Sequence, residues 1–181
     1  DQYASVFGGF NFLEFNKNKS VKVNSLNLKK SIINDLETSM VLFYTDIKRN
    51  ASQIEKEKMS LMYKNESIEA MHQVKKTAVK MKDFLINGNI DKVAKLTGLS
   101  WEAKKSVSKL VSSSRIDQIY KTALKSGALG GKISGAGGGG FMFFYVKPEN
   151  KFKLINVLNR EKGYVINFNF SQGGAFSWNS E

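Results

Sequence analysis

The chain has no cysteine, one proline, one histidine and only three arginines in 181 residues. The missing thiols exclude disulfides and thiolate metal sites, and they fit a reducing, cytoplasmic setting. The one histidine, His72, stands on a helical stretch with no evident partner, the setting of a surface or packed residue rather than a catalyst. No apolar run approaches the ~20 residues that a membrane span needs. The first residues, DQYASVF, open on an acid with no basic segment, so no signal peptide is expected. Arginine is confined to Arg49, Arg115 and Arg160. The net charge of +12, from 28 basic and 16 acidic residues, is therefore carried by lysine. Base readout and bidentate phosphate clamps favour arginine, so scattered lysines read first as a solvated face. A hydrophobic content of 41% excludes wholesale disorder, and the length suits one domain with a real core.

What the chain does have is glycine in one place. Gly135, Gly137, Gly138, Gly139 and Gly140 lie in the stretch KISGAGGGGFMFFYV, directly before six apolar residues, Phe141 to Val146. The apolar run predicts a strand buried on both faces. Without Cβ atoms the cluster lets another surface approach its amides, and successive N–H groups make an anion-binding concavity. The segment formally matches G-x-G-x-x-G, but a dinucleotide-binding turn follows a strand and opens a helix. Here a helical pattern, Ser114 to Ser126 with Ile116, Ile119, Tyr120, Ala123 and Leu124 on one face, precedes the glycines and a strand follows. A Walker A loop fails as well, because Ile133 follows Lys132 where Ser or Thr should stand. A tight turn with no ligand is the other reading.

GALGGKISGAGGGGFMFFYV resembles the third conserved motif of the GHMP kinases, and in particular their branch of bacterial sugar 1-kinases acting on D-glycero-D-manno-heptose 7-phosphate. Gly127, Ala128, Gly130, Gly131 and Lys132 fit the lead-in of that motif. The resemblance implies that Gly135, Ala136, Gly137, Gly138, Gly139 and Gly140 line the nucleotide-phosphate side of a cleft. By itself, Asp1 with Tyr3 to Phe7 reads as a capped short helix ending at Gly8-Gly9. DQYASVFGGFNFLEF also resembles the family segment that begins with the catalytic Asp. On that resemblance Asp1 is the general base that takes a proton from the sugar hydroxyl, with Tyr3 beside the substrate. WEAKK resembles a W-x-x-K-[KR] element of the same branch. It implies Trp101 stacked on the sugar and Lys104 and Lys105 on its phosphate. A packed Trp flanked by solvated lysines is the other reading. Arg115 and Arg49 are further phosphate candidates.

The remaining pattern fits an α+β unit. Phe10 to Asn16 and Val21 to Leu26 read as a hairpin, Lys29 to Thr38 as a helix and Met40 to Thr45 as a strand. No Gly or Pro occurs from Phe10 to Asn87, so Asn50 to Asn87 reads as one or two helices, with apolar stripes at Ile54, Leu61 and Ile68 and at Met71, Ala78 and Leu85. Packing against a sheet or a neighbouring helix explains such stripes, and a coiled coil is the sharper alternative. Helices are expected over 89–97 and 100–112, another from Pro148 onward, and a half-buried strand from Tyr164 to Phe170. The resemblance implies a ferredoxin-like antiparallel sheet with helices on one face over residues 29–181, and a leading piece, residues 1–28, that ends an upstream domain. It further implies an ATP- and Mg2+-dependent kinase whose magnesium ligands and phosphate-loop serine lie in that upstream half, so that this segment alone is inactive. The expected partners are a phosphosugar and the upstream half, with no membrane. Fucose and galactose are alternative substrates. A nucleic-acid-binding module of ferredoxin-like fold suits the basic balance, but the scarce arginines and the lack of an aromatic RNP-type signature disfavour it.

Overall fold

The computed structural model describes residues 2–48, 50–61 and 63–178. A short helix, α1 (Gln2–Phe7), ends at Gly8 and Gly9, whose φ of 63° and 61° turn the chain. The hairpin expected next is present as β1 (Asn11–Phe15) and β2 (Val21–Ser25), paired antiparallel in a separate two-stranded sheet. Helix α2 (Lys30–Ser39) leads into β3 (Met40–Tyr44). The stretch free of glycine and proline forms α3 (Ala51–Leu61) and α4 (Asn65–Ile86). Asn89 then caps α5 (Ile90–Val107), its side chain accepting from the Lys92 amide. Ser113 does the same for α6 (Ser114–Lys125), accepting from the Ile116 amide. Strands β4 (Ala128–Ile133) and β5 (Phe141–Val146), helix α7 (Pro148–Leu158) and strand β6 (Tyr164–Ile166) complete the order.

Three expectations are corrected. The helices foreseen over 89–97 and 100–112 are one helix, α5, followed by a 3-10 turn over Lys109–Val111. Gly98 does not break it. It sits where a Cβ would be 3.1 Å from the Tyr120 hydroxyl and 3.7 Å from the Cα of Gly130, so its bareness serves packing. The segment before the glycine cluster is not helix running straight into the loop, because β4 stands between α6 and the glycines. The last strand stops at Ile166: no strand partners reach 167–170, although Phe168 and Phe170 still point inward and Asn167 and Asn169 outward.

The main sheet has the order β4-β5-β3-β6, antiparallel throughout. With α7 joining β5 to β6 and the long helical segment joining β3 to β4, this is the split β-α-β arrangement of ferredoxin-like folds. Strand alternation divides its residues. Val41 and Phe43 of β3 pair in register with Phe144 and Met142 of β5, and all four face the larger core. That core is closed by Ile116, Ile119, Tyr120 and Ala123 of α6 and by Leu154 and Leu158 of α7. Each such fully buried large side chain contributes about 2 kcal/mol. On the other face Met40 and Tyr145 pack with Ile32 and Leu36 of α2 and with Val93 and Ala94 of α5. Helix α4 packs beside α5 through Met81, Phe84 and Leu85, whereas Ile68, Met71 and Ala78 of the expected stripes are exposed and only Ile54, on α3, enters the larger core.

Candidate functional site

The glycine cluster is the connection between β4 and β5. Its two ends are closed by the strand ladder, where the Ser134 amide donates to the Phe141 carbonyl at 2.9 Å. Its middle is pinned from outside. The Gly138 amide donates to the Val111 carbonyl at 2.7 Å and the Gly140 amide to the Ile47 carbonyl at 3.1 Å. Thr45 donates to the Gly140 carbonyl through both its amide, at 2.9 Å, and its hydroxyl, at 2.8 Å. Gly138 needs to be glycine twice over: its φ is 73°, and a Cβ there would lie 2.6 Å from Ile54 Cδ1 and 3.0 Å from the Leu110 carbonyl oxygen. Much of the cluster therefore serves close contact with the protein's own backbone. The amides of Gly135 and Ala136, like that of Gly139, donate to no backbone acceptor among the described residues. The Lys104 ammonium donates to the Gly135 carbonyl and so sets a positive charge against that part of the loop. Two available amides beside a cation are a donor set that fits a phosphate group.

The loop borders a cavity of about 700 Å³ between the sheet face that carries Phe143 and Tyr145 and a wall made by Phe10, Phe12, Phe168 and Phe170. The cavity reaches the loop at both flanks, through Ser134 and Phe141. Its lining is mostly apolar. The charged residues on it are Lys82 and Lys132, and no carboxylate lines it among the described residues. Burial holds the Lys132 ammonium below the ordinary lysine range, and the nearby charge of Lys58 adds to this. Two buried phenols, one on each face of the sheet, are shifted the other way. Tyr145 is pushed up to about 12 by burial, against a hydrogen bond with Thr97 that lowers it. Tyr120, on the opposite face, is also pushed up to about 12, by burial first and by the charge of Glu102 second.

The residues proposed from sequence fall into different places. Asp1 and Arg49 lie outside the described residues. Tyr3 is on α1, partly exposed, with its ring edge-on to Phe15 at 5.7 Å. Lys104 reaches the loop, as described. Trp101 is a correction: it is wholly buried in the larger core, with its indole nitrogen unpartnered, and it offers no face on which a sugar could stack. The α5 turn that carries it packs inward against the loop side of the sheet, where the largest side chain gains most from burial. Lys105 is engaged by Glu102 at 2.9 Å and Asp117 at 3.2 Å. Burial lowers its pKa, but the bonds with both carboxylates outweigh this and raise it overall. It joins α5 to α6 rather than facing the cavity. Arg115 donates to the Lys162 carbonyl at 2.9 Å and ties the start of α6 to the turn before β6. Lys132 and Lys58 were not singled out from sequence as site residues. The signal for Lys132 was its place at the end of the GGK lead-in, one residue before the strand-ending Ile133. Among the described residues no group of three or more His, Cys, Asp or Glu is placed to hold a metal, and no helix is long and apolar enough to cross a membrane.

Residues 81–165 match the family described as GHMP kinases C terminal. Over 178 residues the chain is 47% identical to the D-glycero-alpha-D-manno-heptose 7-phosphate kinase of Campylobacter jejuni, covering 98% of this chain and 52% of that protein. It is 25% identical over 197 aligned residues to the galactokinase of Pyrococcus furiosus, covering 94% of this chain and 53% of that one. Among solved structures, a D-glycero-D-manno-heptose 1-phosphate kinase from Bacteroides thetaiotaomicron superposes with a TM-score of 0.73 at 34% identity, covering all of this chain and 48% of that one. The chain thus spans about half the length of each of these proteins. It carries a GHMP kinase C-terminal domain and belongs to that family.

Proposed function

We propose that this chain is the C-terminal portion of an ATP-dependent sugar kinase that phosphorylates the anomeric hydroxyl of D-glycero-D-manno-heptose 7-phosphate in the cytoplasm, giving the 1,7-bisphosphate. The observation that carries the reading is the 47% identity, across nearly the whole chain, to a kinase named for that substrate. The loop is consistent with it. The amides of Gly135 and Ala136, with the Lys104 ammonium on the Gly135 carbonyl, supply donors for a nucleotide phosphate. ATP provides the transferred phosphoryl group and Mg2+ neutralises its charge. Asp1 takes the proton from the attacking hydroxyl, and Tyr3 lies two residues from it on α1, on the substrate side.

Residues 1–28 are read as the end of the upstream half and residues 29–181 as the C-terminal domain. Helix α1 leaves Val6 and Phe7 exposed, and the β1–β2 hairpin forms no strand pair with the main sheet. Both features suit packing against further chain. The end of the described chain joins this piece, since the Ala175 amide donates to the Ser5 and Val6 carbonyls. The test is ADP release by the protein including its upstream half, offered heptose 7-phosphate, galactose and fucose. Turnover is expected with the heptose phosphate above the other two. Preference for galactose or fucose would replace the substrate, and absence of ADP release with all three would remove the kinase reading.

A further inference from the structure

The cavity beside the glycine loop has an unbalanced wall. Apart from Asn11, Ser100, Ser134 and Tyr145, its polar lining consists of two lysines, and no aspartate or glutamate lines it among the described residues. Lys82 has Asp83 at 3.5 Å and lies over the Phe12 ring at 4.9 Å, so its charge is accounted for. Lys132 is not. Its ammonium forms no ion pair or hydrogen bond with any described residue, although the side chain is partly buried. A second ammonium, that of Lys58, stands close enough to repel it. Lys58 itself holds Glu55 at 2.7 Å, which leaves Lys132 without a counterion among the described residues. A partly desolvated ammonium without a counterion is costly, and chains keep such groups where a ligand completes them.

We infer that Lys132 binds a phosphoryl group of an organic phosphate at the loop end of this cavity, with Lys58 adding to the field and the Ser134 hydroxyl at the cavity wall beside it. Lys132 stands on β4 opposite Phe143, two residues before the loop, and lines the cavity together with Ser134, the first residue of the loop. The apolar remainder of the cavity accepts the carbon skeleton of the same molecule. Only the site's assignment to the 7-phosphate of the acceptor rests on the kinase reading, and a nucleotide phosphate has the same chemistry.

The experiment is calorimetric titration of the protein including its upstream half, as wild type, Lys132→Met and Lys58→Met. The probes are heptose 7-phosphate, a non-hydrolysable ATP analogue and inorganic phosphate. Lys132→Met is expected to weaken the heptose phosphate at least tenfold, the order expected for a lost charged hydrogen bond, and to leave the analogue within about twofold. Lys58→Met is expected to weaken the same ligand severalfold. Loss of the analogue instead supports the phosphoryl site and assigns it to the nucleotide. If the wild type binds no sugar phosphate but loses inorganic phosphate on Lys132→Met, the site stands and the heptose reading fails. Unchanged affinity for all three probes in both variants overturns the site. A lowered melting temperature of Lys132→Met with unchanged affinities also overturns it, since that result marks a structural ion pair with the upstream half.

Discussion

Gly130 of β4 and Ala94 of α5 touch backbone to backbone: a Cβ built on Gly130 would run into the Ala94 carbonyl oxygen, well inside van der Waals contact. This is why α5 can lie along the edge of the sheet and bring Lys104 to the loop. The φ of Gly130 is not in the left-handed region, so the demand is purely steric. Gly130→Ala is expected to destabilise the fold by about 2–3 kcal/mol, since the obstacle is backbone and cannot swing aside. Urea unfolding of the variant against wild type reads the difference.

Gly138 makes the complementary case, because its nearest obstacle is a side chain, with the Leu110 carbonyl oxygen second. Gly138→Ala meets Ile54 Cδ1 at 2.6 Å and must also hold a φ of 73°. We expect a loss of about 2 kcal/mol, part strain and part overpacking. In the background of Ile54→Ala the Ile54 part of the clash disappears and only the Leu110 carbonyl at 3.0 Å and the φ remain, so the two changes together should cost less than their sum. A double-mutant cycle by denaturant unfolding checks this; strict additivity would mean that α3 does not seat on the loop.

The two shifted phenols predict a pH dependence. Tyr120 and Tyr145 keep their protons to about 12 in the fold, above the ordinary tyrosine value of 10.0. Between those values the unfolded chain binds fewer protons than the native one, so stability falls as pH rises through this window. Below 10 neither phenol contributes a slope. Ultraviolet titration should show a late tyrosinate step that Tyr120→Phe and Tyr145→Phe each diminish.

The burial of Trp101 is directly observable, because the chain's other tryptophan, Trp178, is 76% exposed and stacks on Phe176 at 5.5 Å. Acrylamide should quench Trp178 readily and leave Trp101 untouched, so Trp178→Phe is expected to give blue-shifted, quencher-resistant fluorescence. Easy quenching in that variant would contradict the core placement and reopen sugar stacking.

The elements that followed from sequence are those with a repeating side-chain signal. Helix α6 has its apolar face at helical spacing, β3 and β5 are unbroken apolar runs, and Asn18-Lys19 lies in a short polar turn between two strands. Strand β4 escaped because Gly130 and Gly131 remove two of its six side chains, and with them any alternation. Helix α5 was split in two because a lone Gly98 carries a breaking tendency that packing against β4 overrides. At the site, the glycine loop stands out as a motif, whereas WEAKK points Lys104 to a sugar phosphate and says nothing of the bond its ammonium makes to the Gly135 carbonyl. The depth of Trp101 and the lack of an ion partner for Lys132 among the described residues are not legible, since burial and counterions depend on which distant residues converge. WEAKK reads identically whether its Trp faces a core or a cleft, and only the position of α5 against the sheet decides.

The most direct measurement of the central proposal is phosphorus NMR of the product made from ATP and heptose 7-phosphate by the protein with its upstream half. The account predicts a second sugar phosphorus resonance, split by the anomeric proton, growing with ADP and absent in Asp1→Asn. Release of inorganic phosphate with an unaltered 7-phosphate signal, or the same product at the same rate from Asp1→Asn, would contradict it.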